Sequence, residues 1–136
     1  MKSAEIPMHR PDGTTVQLVE LLNAIPANNW FWSILEFNGV GEMPNNMSVA
    51  EFEAWVQILP QGNIVSWAEI NCFARSIEYT IDCLIVARKE KNGFDAKKLF
   101  LDDFQGCEVG LRAIDSGIWL LAATDNEIFD SIMKQK

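Results

Sequence analysis

The middle of the chain, from Ser66 to Arg88, joins a helix start directly to a run of branched apolar residues. Ser66 and Glu69 have the spacing of a capping box, in which each side chain bonds the other residue's backbone. Apolar residues then recur at intervals of three and four, which predicts one face of a helix. They are Trp67, Ile70, Ala74, Ile77, Ile81 and Leu84. We therefore expect this stretch at the centre of a packed core.

Two interpretations of this stretch are open. In the first, one helix runs from Ser66 to about Lys91, a length of about 26 residues where about 11–12 is usual. In the second, a helix ends near Tyr79 and a strand runs from Ile81 to Arg88. We favour the second interpretation, because the branched apolar residues of the run suit a buried strand.

Turn and capping signals divide the rest of the chain. Three further pairs have capping-box spacing and predict helix starts. They are Thr14 with Gln17, Ser48 with Glu51, and Thr124 with Glu127. Aromatic and branched residues predict a strand within residues 29–40, and two apolar runs around Asp115-Ser116-Gly117 predict a hairpin over residues 108–124.

These elements predict an α+β fold, with a mostly antiparallel sheet of three to four strands packed with three to four helices. No regular alternation of strand and helix appears, which argues against a doubly wound parallel sheet. We expect residues 1–12 to be a flexible lead-in and residues 13–136 to form a single α+β domain.

The predicted strand within residues 29–40 is apolar on both faces. Its alternate positions are Trp30, Trp32 and Ile34 on one face, and Phe31, Leu35 and Phe37 on the other. Such a strand is either central in a covered sheet or leaves an apolar face exposed. An exposed face supports one alternative function, a domain that binds a small ligand or pairs with a second copy of itself.

The net charge is −8, and the basic residues are unevenly placed. No Lys or Arg occurs from Pro11 to Ala74, a stretch that contains seven acidic residues. Nucleic acids and anionic membranes attract basic surfaces, so we expect neither as a partner. A basic protein is the expected partner, because opposite charges accelerate encounter.

Four acids of this stretch are the candidate partner-binding residues: Glu36, Glu42, Glu51 and Glu53. Tryptophans occur in the same stretch, and aromatic side chains beside acids are typical of a surface that recognises a basic protein. Asp82 is a possible special acid, since it lies inside an apolar run. Its carboxylate is therefore either at a solvent-facing edge or buried and hydrogen-bonded.

Groups suited to catalysis are sparse. His9 is the only histidine, and no motif places a base beside a Ser or Cys nucleophile. The three cysteines form no C-x-x-C pair, which is typical of free thiols in a reducing cytosol. We expect a cytoplasmic protein with no catalytic residues, no metal and no cofactor. An enzyme that uses carboxylates alone is a third possibility.

The C-terminal region resembles small acidic bacterial immunity and immunity-like proteins of toxin systems. The resemblance lies in a hairpin strand with a tryptophan, Asp115-Ser116-Gly117-Ile118-Trp119, that leads into a short capped helix at Thr124-Asp125-Asn126-Glu127. It implies an inhibitor that occludes the active site of a toxin, often a basic nuclease. It implies no particular binding residues, and a monomer or homodimer is compatible with it.

Overall fold

The computed structural model describes residues 1–136, which form one six-stranded antiparallel sheet and five α-helices. The strands are β1 (Lys2–Pro7), β2 (Phe31–Gly41), β3 (Asn63–Val65), β4 (Ile77–Arg88), β5 (Val109–Ile114) and β6 (Ile118–Ala123). The helices are α1 (Leu18–Asn23), α2 (Val49–Ile58), α3 (Trp67–Arg75), α4 (Ala96–Leu99) and α5 (Asn126–Met133), with a 3-10 turn at Pro44–Asn46. The strand order is β1-β6-β5-β4-β2-β3, so β1 and β3 are the two edges.

The predicted α+β class and the antiparallel sheet are confirmed, but the predicted numbers of strands and helices were too low. Both edge strands were missed. Residues 1–12 do not form only a lead-in, since β1 pairs along its whole length with β6. That pairing joins the two ends of the chain and has no local signal beyond the buried Ile6. Strand β3 has three residues, too few to show a period.

The interpretation of the central stretch as a helix followed by a strand is confirmed. Helix α3 ends at Arg75, and the hydroxyl of Ser76 donates to the carbonyl of Phe73 at 2.7 Å. Strand β4 begins at Ile77, four residues earlier than predicted, and pairs with β2 on one side and β5 on the other. The part of β4 from Cys83 to Ala87 is entirely apolar, because it has a strand on each side and a covered surface on each face.

A bulge in β2 corrects the predicted faces of that strand. The pairing with β4 shifts register between Ile34 and Glu36, so that Leu35 is the extra residue. Phe37 consequently lies in the larger core with Trp32 and Ile34, whereas it was predicted to share a face with Leu35. Assigning alternate residues of a strand to opposite faces cannot reveal a bulge, because one extra residue moves every later side chain to the other face.

Both faces of β2 are covered by this chain. The larger core packs the helices against one face, and the smaller core packs Phe94, Leu99 and Phe104 from the β4–β5 connection against the other. Leu35, on the second face, is only 2% exposed. The doubly apolar pattern is therefore explained within one chain, without a second copy.

The capping boxes were predicted with mixed success. Those of Ser48 with Glu51 and Ser66 with Glu69 are confirmed at the starts of α2 and α3. The other two predicted caps were wrong. Gln17 rather than Thr14 precedes α1, and Asp125 rather than Thr124 caps α5.

The predicted hairpin is formed by β5 and β6. Asp115 and Ser116 have φ angles of 49° and 57°, the left-handed values that a tight hairpin turn requires. Trp119 is fully buried, and its indole N–H donates to the carbonyl of Val16 at 2.9 Å. None of the helices combines the length and the apolar character needed to cross a membrane.

Candidate functional site

Two adjoining cavities flank the edge strand β3, and together they form what we call the β3 groove. The first has a volume of about 480 Å³ and lies between α2, α3 and the 3-10 turn. The second has a volume of about 580 Å³ and lies between the residues that precede β2 and the start of α3. Ile64, Val65 and Glu69 line both cavities, so the groove is continuous along the edge of the sheet.

The first cavity is acidic. Glu42 and Glu69 line it, and no Lys or Arg does. Hydrogen bonds from the backbone N–H and the hydroxyl of Ser66 lower the pKa of Glu69, so its charge persists in mildly acidic solution. The second cavity contains one basic residue, Lys91. The groove therefore offers negative charge on the helix side of β3.

Aromatic side chains give the groove its apolar surface. Trp55 lines the first cavity, and Trp30 and Trp67 line the second. All three are half-buried, which leaves part of each indole in contact with solvent. Two of them pack against the fully buried Trp32, whose ring centroid lies 6.3 Å from that of Trp30 and 5.5 Å from that of Trp67. Such rigid aromatic surfaces lose little conformational entropy when a partner covers them.

Strand β3 also offers backbone groups. It pairs with Trp32, Ser33 and Ile34 of β2 on one side only. In an antiparallel pair, alternate residues direct their N–H and C=O groups away from the partner strand. No loop, turn or side-chain group of the chain hydrogen-bonds to residues 63–65. The outward backbone groups of β3 are therefore free to pair with another chain.

The structure separates the four predicted partner-binding acids. Glu42 lines the groove. Glu51 is exposed at the start of α2, where its carboxylate accepts a hydrogen bond from the N–H of Ser48 at 2.9 Å. Helical spacing puts Glu53 and Trp55 on opposite sides of the buried stripe of α2, so Glu53 points away from the groove.

Glu36 lies instead on the second face of the sheet, opposite Leu84 of the smaller core, and the charges of Asp82 and Glu53 act on it. Burial raises the pKa of Glu36, and the nearby charges of Asp82 and Glu53 raise it further. Arg112 opposes the shift, but its guanidinium also bonds Asp102 at 2.7 Å. The four predicted acids therefore do not form one patch, and only Glu42 lines the groove.

Asp82 lies near Glu36 and is half-buried. Its carboxylate accepts a hydrogen bond from the backbone N–H of Asp115 at 2.9 Å. Its charge contributes to the raised pKa of Glu36, and neither residue lines any of the three principal cavities.

Cys72 is an exposed thiol that lines the first cavity. The only histidine, His9, bonds the carbonyl of Ser116 at 2.8 Å, at the turn between β5 and β6. That turn is separated from β3 by β2 and β4, so no imidazole lies beside Cys72. The groove consequently holds no Cys–His pair.

A third cavity, of about 460 Å³, lies under the β4–β5 connection. Arg88 lines it, but its guanidinium bonds the carbonyls of Asn92 and Gly106 and so holds the connection in place. None of the predicted site residues lines this cavity.

Two parts of the groove were not predicted as site residues. Glu69 was recognised only as a helix cap, although it belongs to the same stretch without basic residues as Glu42. The free edge of β3 has no sequence signal, because it depends on which strands lie beside it in the sheet. Comparison of the chain with known protein families, with curated proteins and with solved structures finds no match.

Proposed function

We propose that this protein is a non-enzymatic binding protein of the immunity type, which occludes a basic partner protein with the β3 groove. The observation that carries the proposal is the combination in one groove of Glu42 and Glu69, which form no salt bridge, with half-buried tryptophans and the free edge of β3. The resemblance of the C-terminal hairpin and helix to immunity-like proteins supports the same class of function.

The mechanism is steric occlusion guided by charge. The acids steer a basic surface toward the groove and fix its register, while burial of Trp30, Trp55 and Trp67 contributes the apolar stabilisation. Glu51, at the start of α2, adds negative charge near the groove without lining it. Glu36 and Glu53 add only to the long-range field, because neither of them lines the groove.

The test is a pull-down from lysate of the source organism at low and moderate salt, with captured proteins identified by mass spectrometry. Wild-type protein is compared with Glu42→Lys/Glu69→Lys and with Glu5→Lys/Glu127→Lys. The second pair changes the net charge equally, at β1 and α5, which lie at the opposite edge of the sheet. Unfolding curves of all three proteins establish that they are folded.

The expected result is one basic protein that wild type and the control pair capture stoichiometrically and that the groove pair captures much less. We expect its association with the groove variant to be roughly tenfold slower at low salt, with a weaker dependence on salt. The purified partner should lose its own activity when the wild-type protein is added. Equal capture by both variants, or a partner that remains active when bound, would refute the proposal.

A further inference from the structure

We propose that the partner presents an extended basic segment, which pairs with β3 as a seventh strand of the sheet. This inference rests on the proposed function, since it names the part of the partner that the β3 groove receives. Addition of a strand to an exposed sheet edge is a general mode of peptide recognition, in which backbone hydrogen bonds provide affinity and alternate side chains provide specificity.

The two edges of the sheet differ in how they are protected. Strand β1 carries Lys2, Glu5 and Pro7, all exposed, and charges and proline are the residues that discourage pairing at an edge. Strand β3 carries Asn63, Ile64 and Val65, which include neither a charge nor a proline. Only its shortness limits pairing, so β3 is the edge that can accept a short strand.

The two sides of β3 require different side chains from an added strand. On the helix side, Val65 packs with the larger core, and Glu42 and Glu69 line the adjacent cavity. On the opposite side, Ile64 and Phe31 pack with the smaller core. Basic side chains on the helix side and apolar side chains on the other therefore complement this edge.

Alternation is a property of any extended strand, so one segment meets both requirements at once. A sequence in which Lys or Arg alternates with apolar residues directs all its basic groups to Glu42 and Glu69. Lys91, beside the second cavity, disfavours a segment with basic residues on both faces. The chemistry of the edge thus selects alternating segments over uniformly basic ones.

The probe is an acetylated and amidated octapeptide of alternating Lys and Val, titrated into isotopically labelled protein and followed by amide NMR shifts. Two further peptides carry N-methyl groups on all Lys or on all Val backbone amides. In a strand, alternate amides face the same edge, so only one of these two peptides loses the bonds to β3. The other retains them and controls for the effect of methylation on charge and shape.

We expect the largest shifts at residues 63–65, and at least tenfold weaker binding of one methylated peptide than of the other. We also expect Glu42→Gln/Glu69→Gln to weaken binding at least threefold and Glu5→Gln/Glu127→Gln to leave it unchanged. Glutamine at position 69 still fits a capping box, so α3 keeps its start.

Equal binding of both methylated peptides, with shifts in the groove, would refute strand addition and leave the charged groove of the proposed function intact. Shifts confined to other regions would refute strand addition as well. The proposed function is judged separately, by capture of a basic partner and its inhibition, which require no particular backbone pairing.

Discussion

The carboxylate of Asp82 accepts a hydrogen bond from the backbone N–H of Asp115, at 2.9 Å, and so connects β4 to the turn between β5 and β6. A second bond, from the N–H of Ser116 to the carbonyl of Ile81, reinforces this connection at 2.9 Å. Both turn residues have the left-handed backbone conformation that costs most residue types energy. The position of Asp82 inside an apolar run is thus explained by a turn that lies 33 residues further along the chain.

Replacement of Asp82 by alanine should loosen this turn. We expect Asp82→Ala to lower the free energy of unfolding by about 1–2 kcal/mol, because the N–H of Asp115 loses its acceptor. Urea unfolding measures the loss, and amide exchange at Asp115 locates it. Asp82→Asn keeps an oxygen acceptor and should lose less than half as much. An equal loss in both variants would show that the charge, rather than the hydrogen bond, stabilises the turn.

Glu36 should make the protein more stable as the pH falls. Burial raises the pKa of Glu36, so the folded state binds its proton more readily than the unfolded state does. Stability therefore declines as the pH rises from the unfolded pKa near 4.5 through the higher folded pKa. We expect Glu36→Gln to flatten this decline and to raise the unfolding midpoint at pH 7. Urea unfolding from pH 4.5 to 7 provides the measurement, and an unchanged pH profile would contradict the prediction.

Gly62 should be essential to the placement of β3. Its φ is +70°, and a Cβ there would lie 2.4 Å from the Oγ of Ser33 and 2.7 Å from the carbonyl oxygen of Ile34. We expect Gly62→Ala to cost at least about 2 kcal/mol, from backbone strain and overlap together. Gly13→Ala is the matched control, because Gly13 also has a positive φ but no atom within 4 Å of the added Cβ. Equal thermal shifts in the two variants would exclude the overlap as the cause.

The three cysteines should differ sharply in reactivity. Cys83 and Cys107 are buried, and burial raises the pKa of both thiols. Cys72 is exposed in the first cavity. We expect a thiol reagent to label only Cys72 rapidly in the folded protein, and all three residues in urea. A bound partner should slow the labelling of Cys72, and undiminished labelling in a saturated complex would place the partner outside the first cavity.

Local signals predicted the parts of the fold that depend on neighbours in sequence. Ser48 and Ser66 were correctly identified as caps, because each is followed at the third helical position by Glu51 or Glu69. The prediction that Thr124 caps α5 was wrong, because the carboxylate of the next residue, Asp125, accepts hydrogen bonds from the N–H groups of Glu127 and Ile128. The Thr124 hydroxyl bonds the carbonyl of Cys107 instead, at 2.7 Å.

The candidate site was predictable in composition but not in arrangement. The charge distribution selected both Glu42, which lines the groove, and Glu36, which follows the bulge of β2 and does not line it. The edge position of β3 depends on pairing across the sheet, which no window of sequence contains. What could not be predicted therefore arises from contacts between residues far apart along the chain.

The difference between the two sheet edges also determines how copies of this protein meet one another. If two copies paired through β3, Glu42 and Glu69 of one copy would face the same acids of the other across a narrow cavity. Like charges held so close repel, and the association becomes less favourable as salt is removed. The acids that would attract a basic segment would therefore also disfavour a dimer formed through β3, an edge that has neither proline nor lysine. The same two carboxylates would thus favour binding of a basic strand from another protein and disfavour association of two copies of this one.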